Sequence, residues 1–214
     1  MGKTSEPAPV QFSYQEALCG AGVLFVLPFL LSQGLLKTKE IYQWTKNAYY
    51  SLESVVLTLA IMALARIKTP EQLKQCKPGE IGRIIGLDRI PEVRCIRQKI
   101  KFLSDQNKTL ELNKRLLDDW LQPQDSLVLC VDGHQRIYYG EKANLPVKYI
   151  SRQKLCLNAT TEYWVTTLQG TPLLVTLGQL TEKLQDAIEE SIIPVLKDSA
   201  AYKQQCGDNK DQPR

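Results

Sequence analysis

The side chain best placed to do chemistry is Asp132. It ends an apolar run, residues 126–131, and is followed by Gly133 and His134. A carboxylate carried by such a run into a β-like segment is costly to bury unless a metal or a cation compensates it. In two-metal phosphoryl transfer, carboxylates of this kind hold the divalent ions that activate the nucleophile and steady the leaving oxygen. Oxygen ligands suit Mg²⁺ or Mn²⁺. Asp-Gly is also a common hairpin corner, so a turn stands beside the metal-ligand reading. His134, the one His of the chain, either shares that pocket or only caps or stacks.

A second constellation lies between Pro78 and Lys101. A short apolar helix is expected to end near Gly86, with a turn after it and Pro91 opening a second helix. In that second helix Val93, Ile96, Ile100 and Leu103 make one stripe, and Arg94, Arg97 and Lys101 make another. A helix-turn-helix needs this division: the apolar stripe docks on the first helix and the cations reach phosphates and base edges. The plainer alternative is a solvated basic face on an ordinary helical hairpin.

Other chemistries are thinly supported. Six Cys, at 19, 76, 95, 130, 156 and 206, form no CxxC pair, which argues against structural zinc and for a reducing cytosol. The formal charge of +4 is only mildly basic, so the placement of charge carries more than its total. No P-loop, dinucleotide fingerprint or Ser-His-Asp order occurs. Glu182, Asp186, Glu189 and Glu190 fall where a late helix would face solvent. Tyr138, Tyr139, Tyr163 and Trp164 are expected to pack in the core and sheet rather than stack on bases.

The elements that must position these groups come in two styles. Residues 1–13 read as a flexible leader. A helix is expected over 14–36, interrupted near Pro28. Residues 17–36 carry no charge and just reach the length of a bilayer span. Gly20, Gly22, Pro28, Ser32, Gln33 and Gly34 argue instead for a core helix, and the leader lacks the basic start of a secretory signal. Apolar spacing predicts helices over 51–66 and 107–121, with Thr69 and Pro70 starting another. Pro123 should close the helical half. A strand follows over 126–131. Residues 161–168 and 171–177 read as a hairpin turning at Gln169-Gly170. Leu180, Leu184, Ile188, Ile192 and Val195 then mark an amphipathic helix with Pro194 near its end, and a disordered tail is expected from Lys203.

Several short words stand in a telling order: Ala21-Gly-Val-Leu24 with Leu27-Pro28, Leu64-Ala-Arg-Ile-Lys-Thr-Pro-Glu-Gln-Leu73, Gly86-Leu-Asp-Arg-Ile-Pro-Glu-Val93, Val131-Asp-Gly-His134 with Tyr138-Tyr-Gly140, and Tyr149-Ile-Ser-Arg-Gln-Lys-Leu-Cys-Leu157. Together they resemble a bacterial family of DDE-type transposases over nearly the whole chain. The resemblance implies helical DNA-binding regions joined to a ribonuclease-H-like core that runs β-β-β-α-β. It places Asp132 at the first catalytic carboxylate and turns the basic helix into a DNA contact through Arg94, Arg97, Lys99 and Lys101.

The fold expected is therefore α+β. A leader (1–13) precedes a helical DNA-binding region with a helix-turn-helix-like hairpin (14–122). An incomplete β-β-β-α half (123–198) and a tail (199–214) follow. The chain is expected to end before the strand and helix that would bring the second Asp and the Glu. Mg²⁺ or Mn²⁺, the cofactor of the complete family, should then bind weakly or not at all, and the polypeptide alone should not cut or join DNA. The expected partner is DNA in the cytoplasm, with a second copy or a complementing downstream fragment as protein partners. A regulatory DNA-binding module and a small protein anchored through 17–36 are the alternatives.

Overall fold

A computed structural model describes residues 20–45, 48–121, 128–140, 143–200 and 202–203. In chain order the helices are α1 (Leu27–Ser32), α2 (Thr38–Ile41), α3 (Leu52–Leu64), α4 (Pro78–Ile84), α5 (Val93–Asp105), α6 (Thr109–Trp120), α7 (Leu184–Asp186) and α8 (Ile193–Lys197). The strands, between α6 and α7, are β1 (Leu129–Ile137), β2 (Val147–Ile150), β3 (Leu155–Thr167) and β4 (Pro172–Gln179). The class is α+β. The chain divides into two compact units: one from Met1–Ser32 and Lys46–Ile100, the other from Gln33–Thr45 and Lys101–Arg214.

The described part of the first unit is helical. Its core gathers Ile61 and Met62 of α3, Ile81 and Ile84 of α4, Ile96 of α5, and Val23, Leu73 and Ile90 from the connections. Ser51 caps α3 by accepting the Ser54 amide at 3.2 Å, a contact that satisfies one of the helix's first free donors. Buried Thr58 avoids an unpaired hydroxyl by donating to the Ser54 carbonyl at 2.7 Å. Thr69 and Pro70 do start a helix, but Pro70–Gln75 is a 3₁₀ helix. Gln72 accepts the amides of Lys68 and Thr69 there, at 2.6 and 3.4 Å.

The apolar segment before α3 departs from the expected interrupted helix. Residues 14–19 lie outside the described residues; from residue 20 on the segment forms a 3₁₀ turn, Ala21–Phe25, and Pro28 then sits in the first turn of α1. A missing N–H costs nothing at that position, so Pro28 begins a helix instead of breaking one. The segment is not a buried core helix either. Val23 and Leu27 are buried, while Leu24, Phe25, Val26, Phe29 and Leu31 are exposed. The expected leader lies outside the described residues, as do Pro123 and the segment 122–127.

The second unit is built on an antiparallel sheet with β3 at its centre. β1 runs along one side of β3, and β2 and β4 follow one another along the other. The hairpin between β3 and β4 turns at Gly170, whose φ of +85° suits glycine. One face of the sheet is covered. Leu117 and Leu121 at the end of α6 cluster there with Tyr163 and Val165 of β3, Leu173 and Leu174 of β4, and Ala187, Ile192 and Val195 after the sheet. Residues 33–45 pack along α6: Trp120 Nε1 donates to the Gln33 carbonyl at 3.1 Å, and Arg115 Nε to Glu40 at 3.0 Å. α6, which composition groups with the preceding helices, therefore packs in the same unit as the sheet.

Tyr163 explains two glycines. Gly133 stands opposite it on β1, and a Cβ there would lie 3.3 Å from the ring. A Cβ on Gly178 of β4 would come within 2.5 Å of the other side of the ring and closer still to Oε2 of Glu182. The Asp132-Gly133 pair is thus no hairpin corner. It lies inside β1, which continues to Ile137, and Gly133 is small because the buried ring needs the space.

Two further readings change. Of the four aromatic residues expected to pack, Tyr163 is buried, but Tyr139 is 79% and Trp164 42% exposed. The late helix is not one α-helix: a π-helical turn, Ala187–Ile192, joins α7 to α8. The wider turn absorbs Pro194, which cannot donate in a continuous helix. It also brings Ala187 and Ile192 to one face and leaves Leu184 exposed. The expected tail, 199–214, begins in ordered structure: Ser199 is buried and Lys203 pairs with Asp198 at 2.6 Å, while 201 and 204–214 lie outside the described residues.

Gly178→Ala should lower stability by about 1–3 kcal/mol, the usual cost of forcing a methyl group into a filled space. A lower urea midpoint at unchanged m-value is the expected readout. An unchanged midpoint would mean that neither the Tyr163 ring nor the Glu182 carboxylate rests against that position.

Candidate nucleic-acid interface

The cationic stripe is positioned by the contact between α4 and the connection to α5. A Cβ on Gly82 would lie 2.6–2.8 Å from backbone atoms of Arg89, so only glycine lets the connection pass this close. Ile90, 2% exposed, and Ile96, fully buried, pin the connection and the first turns of α5 to the core. Pro91 lies in that connection, and α5 begins two residues later, at Val93.

Once Ile96 faces inward, the helical period turns Arg94, Arg97 and Lys101 to the exposed side. Lys99 lies apart from them, half-buried, beside Tyr49 and Tyr50. Arg97 is ion-paired with Glu71, and Lys101 with Asp105 at 2.8 Å. Both pairs are exposed, so they are worth little and exchange readily for another anion. Arg94 is exposed and makes no ion pair among the described residues.

Sequence reasoning missed three members of this surface: Lys74 and Arg89, which line the groove beside Arg94 and Arg97, and exposed Tyr49. The signal was present as local charge. Residues 66–101 hold ten Lys and Arg against four Asp and Glu, an excess of six where the whole chain has an excess of four.

Asp132 is in the other unit. It stands opposite Trp164 in the β1–β3 register, with His134 opposite Glu162. Directly opposed residues share a face, so Asp132, His134, Glu162 and Trp164 all lie on the face away from the core. Asp132 is exposed, which removes the premise of a buried charge needing compensation. Arg136 grips Glu162 through two parallel bonds, Nε to Oε1 and Nη2 to Oε2, each 2.9 Å. This grip, with lesser help from Trp164 and then His134, holds the Glu162 carboxyl below the usual glutamate range against the opposing effect of burial.

The residues around Asp132 do not fit a resident divalent ion. Mg²⁺ wants an octahedron of oxygens anchored by carboxylates, and Glu162, the acidic residue that shares Asp132's face of the sheet among the described residues, is already committed to Arg136. Among the described residues no group of three or more His, Cys, Asp or Glu is placed to hold a metal. The late acidic residues do other things. Asp186, Glu189 and Glu190 are exposed, while Glu182 accepts the Gln179 amide at 3.1 Å and closes the turn after β4.

Against known proteins, a family model described as "Transposase protein" matches residues 1–214. The chain belongs to this transposase family. No curated protein and no solved structure matches it. The family match spans both the cationic hairpin and the Asp132 sheet of the transposase-family protein. The membrane-anchor alternative is not favoured: among the described residues no helix is long and apolar enough to cross a bilayer.

Because Glu162 ionises more easily in the folded chain, it adds stability above the ordinary glutamate range and loses that contribution as pH falls through its lowered value. Arg136→Met should raise the midpoint of the Glu162 carboxyl titration read by NMR, and should move the acid-side loss of stability to higher pH. An unmoved midpoint would contradict the role given to Arg136.

Proposed function

We propose that this protein is a transposase-related DNA-binding protein that engages DNA through α5, with Arg94, Arg97, Lys99 and Lys101 as its contacts. In this reading α4 and α5 act as a helix-turn-helix. The observation that carries the proposal is the concentration of Lys and Arg in residues 66–101, in a chain whose family is that of transposases. Cations spaced along one helix face neutralise phosphates, and this term supplies most of the affinity of such proteins for DNA.

The sheet unit is read as part of a ribonuclease-H-like core of the DDE type, with Asp132 in the place of its first carboxylate. Three features support this: the three-stranded antiparallel run of β1, β3 and β4, the helical segment after it, and the position of Asp132 inside the first strand. β2 is an addition to that plan. Two or three carboxylates are needed to hold a metal pair, and Asp132 brings one. We therefore read the polypeptide by itself as binding Mg²⁺ weakly and as unable to cut or join DNA. The Arg136–Glu162 grip favours a second reading, a regulatory module that binds DNA without breaking it. Either role is set in the cytoplasm, and the outer edge of β1 is where a second copy or a complementing fragment would pair.

The joint variant Arg94→Ala/Arg97→Ala should weaken duplex binding and flatten the plot of log affinity against log salt by about 2 units, near 0.9 for each phosphate that is no longer neutralised. An unchanged slope would remove both residues from the interface. In the same samples Mg²⁺ should produce no nicking; nicking that Asp132→Asn abolishes would overturn the inactive reading.

A further inference from the structure

Two hollows flank the start of α5, both within the first unit. The larger, about 640 Å³, has an apolar floor that includes Leu73 and Ile90 and a rim of Lys74, Arg89, Arg94 and Arg97. The smaller, about 290 Å³, is bounded by Tyr49, Tyr50, Arg89, Glu92, Cys95 and Lys99. Arg89 and Glu92 border both, so the two hollows lie side by side and are taken together as a track.

Tyr49 sets the chemistry of the track. The residue is 83% exposed. It is nevertheless held in place. The Tyr50 ring meets it edge-on, with centroids 4.9 Å apart and planes at 81°. Tyr50 in turn points its hydroxyl at the Arg89 and Ile90 carbonyls, 3.4 Å away, on the connection before α5. An edge-on pair occupies at most one face of either ring, so Tyr49 keeps an open face beside a row of cations.

We propose that this track binds single-stranded DNA, with Tyr49 stacking on a base and Lys74, Arg89, Arg94 and Arg97 taking the backbone phosphates. The proposal rests on the DNA-binding reading above and narrows it. A duplex offers phosphates and base edges but keeps its base faces stacked. Only an unpaired strand presents a flat apolar face to an exposed ring and phosphates to the cations next to it. The apolar floor would go unused against a duplex, whereas a second unstacked base covers it. Glu71, which holds Arg97 in the free protein, gives that cation up when a phosphate arrives.

The test uses the full chain and two labelled probes, an oligothymidylate of about twelve nucleotides, within the span of known single-strand sites, and a mixed-sequence duplex of the same length. Fluorescence anisotropy should show that Tyr49→Ala weakens oligothymidylate binding by about 5- to 100-fold and leaves duplex binding within about twofold, while Tyr49→Phe, which keeps the ring, binds like the native protein. Equal weakening by Tyr49→Phe, or no weakening by Tyr49→Ala, overturns the single-strand proposal. If duplex binding still falls in Arg94→Ala/Arg97→Ala, the broader DNA reading survives that result. Binding of neither probe by the native chain overturns both. Displacement of the oligonucleotide by polyglutamate, to an extent that depends on Tyr49, would also overturn the proposal, since it would mark the track as a seat for acidic peptide.

Discussion

Side chains on β3 alternate strictly between the core and the open face. Ala159, Thr161, Tyr163 and Val165 are buried, and Thr160, Glu162, Trp164 and Thr166 point the other way. This two-residue period decides what β1 can present, because directly opposed residues share a face. The register that places Gly133 against Tyr163 puts Asp132, His134 and Arg136 on the open side. A slip by one residue would turn those three inward and Val131 outward, leaving charges in the core with no partner. The glycines on either side of Tyr163 reinforce the choice, since a Cβ at either position would crowd its ring. The exposed carboxylate is thus a consequence of how one tyrosine is buried.

The first unit obeys the same logic in helical form. Ile90 and Ile96 are anchored inside, and Gly82 lets the connection before α5 run against α4. Once that inner face is fixed, the three- and four-residue spacing leaves Arg94 and Arg97 no place but outside. Arg94, Arg97 and Lys99 therefore belong to the first unit and Lys101 and Asp132 to the second, each unit with its own core.

Much of this was legible in the sequence where period and punctuation agree. Helix α3, the short α4 before Gly86, and the hairpin at Gly170 all follow from local pattern. The failures have physical causes. Asp132-Gly133 carries the signature of a turn, but the glycine answers a ring on the neighbouring strand, which no local window contains. Leu184 and Ile188 keep an α-helical spacing that the π-helical turn before Pro194 undoes. The apolar residues around Phe25 and Phe29 looked like a core helix because hydropathy does not record which way a 3₁₀ turn rotates a side chain. On the candidate interface, the cations of α5 were readable from their spacing. Arg89 and Tyr49 were not, because they join the surface only through the fold of the connections.

In the function proposed here, DNA meets this transposase-family protein at the cationic surface of α5 and not at the Asp132 face of the sheet. Amide hydrogen exchange, compared with and without saturating DNA, tests this most directly. Slower exchange in residues 89–101 with no change in β1 is the predicted result. Protection confined to β1 and β3, with 89–101 unaffected, would contradict it.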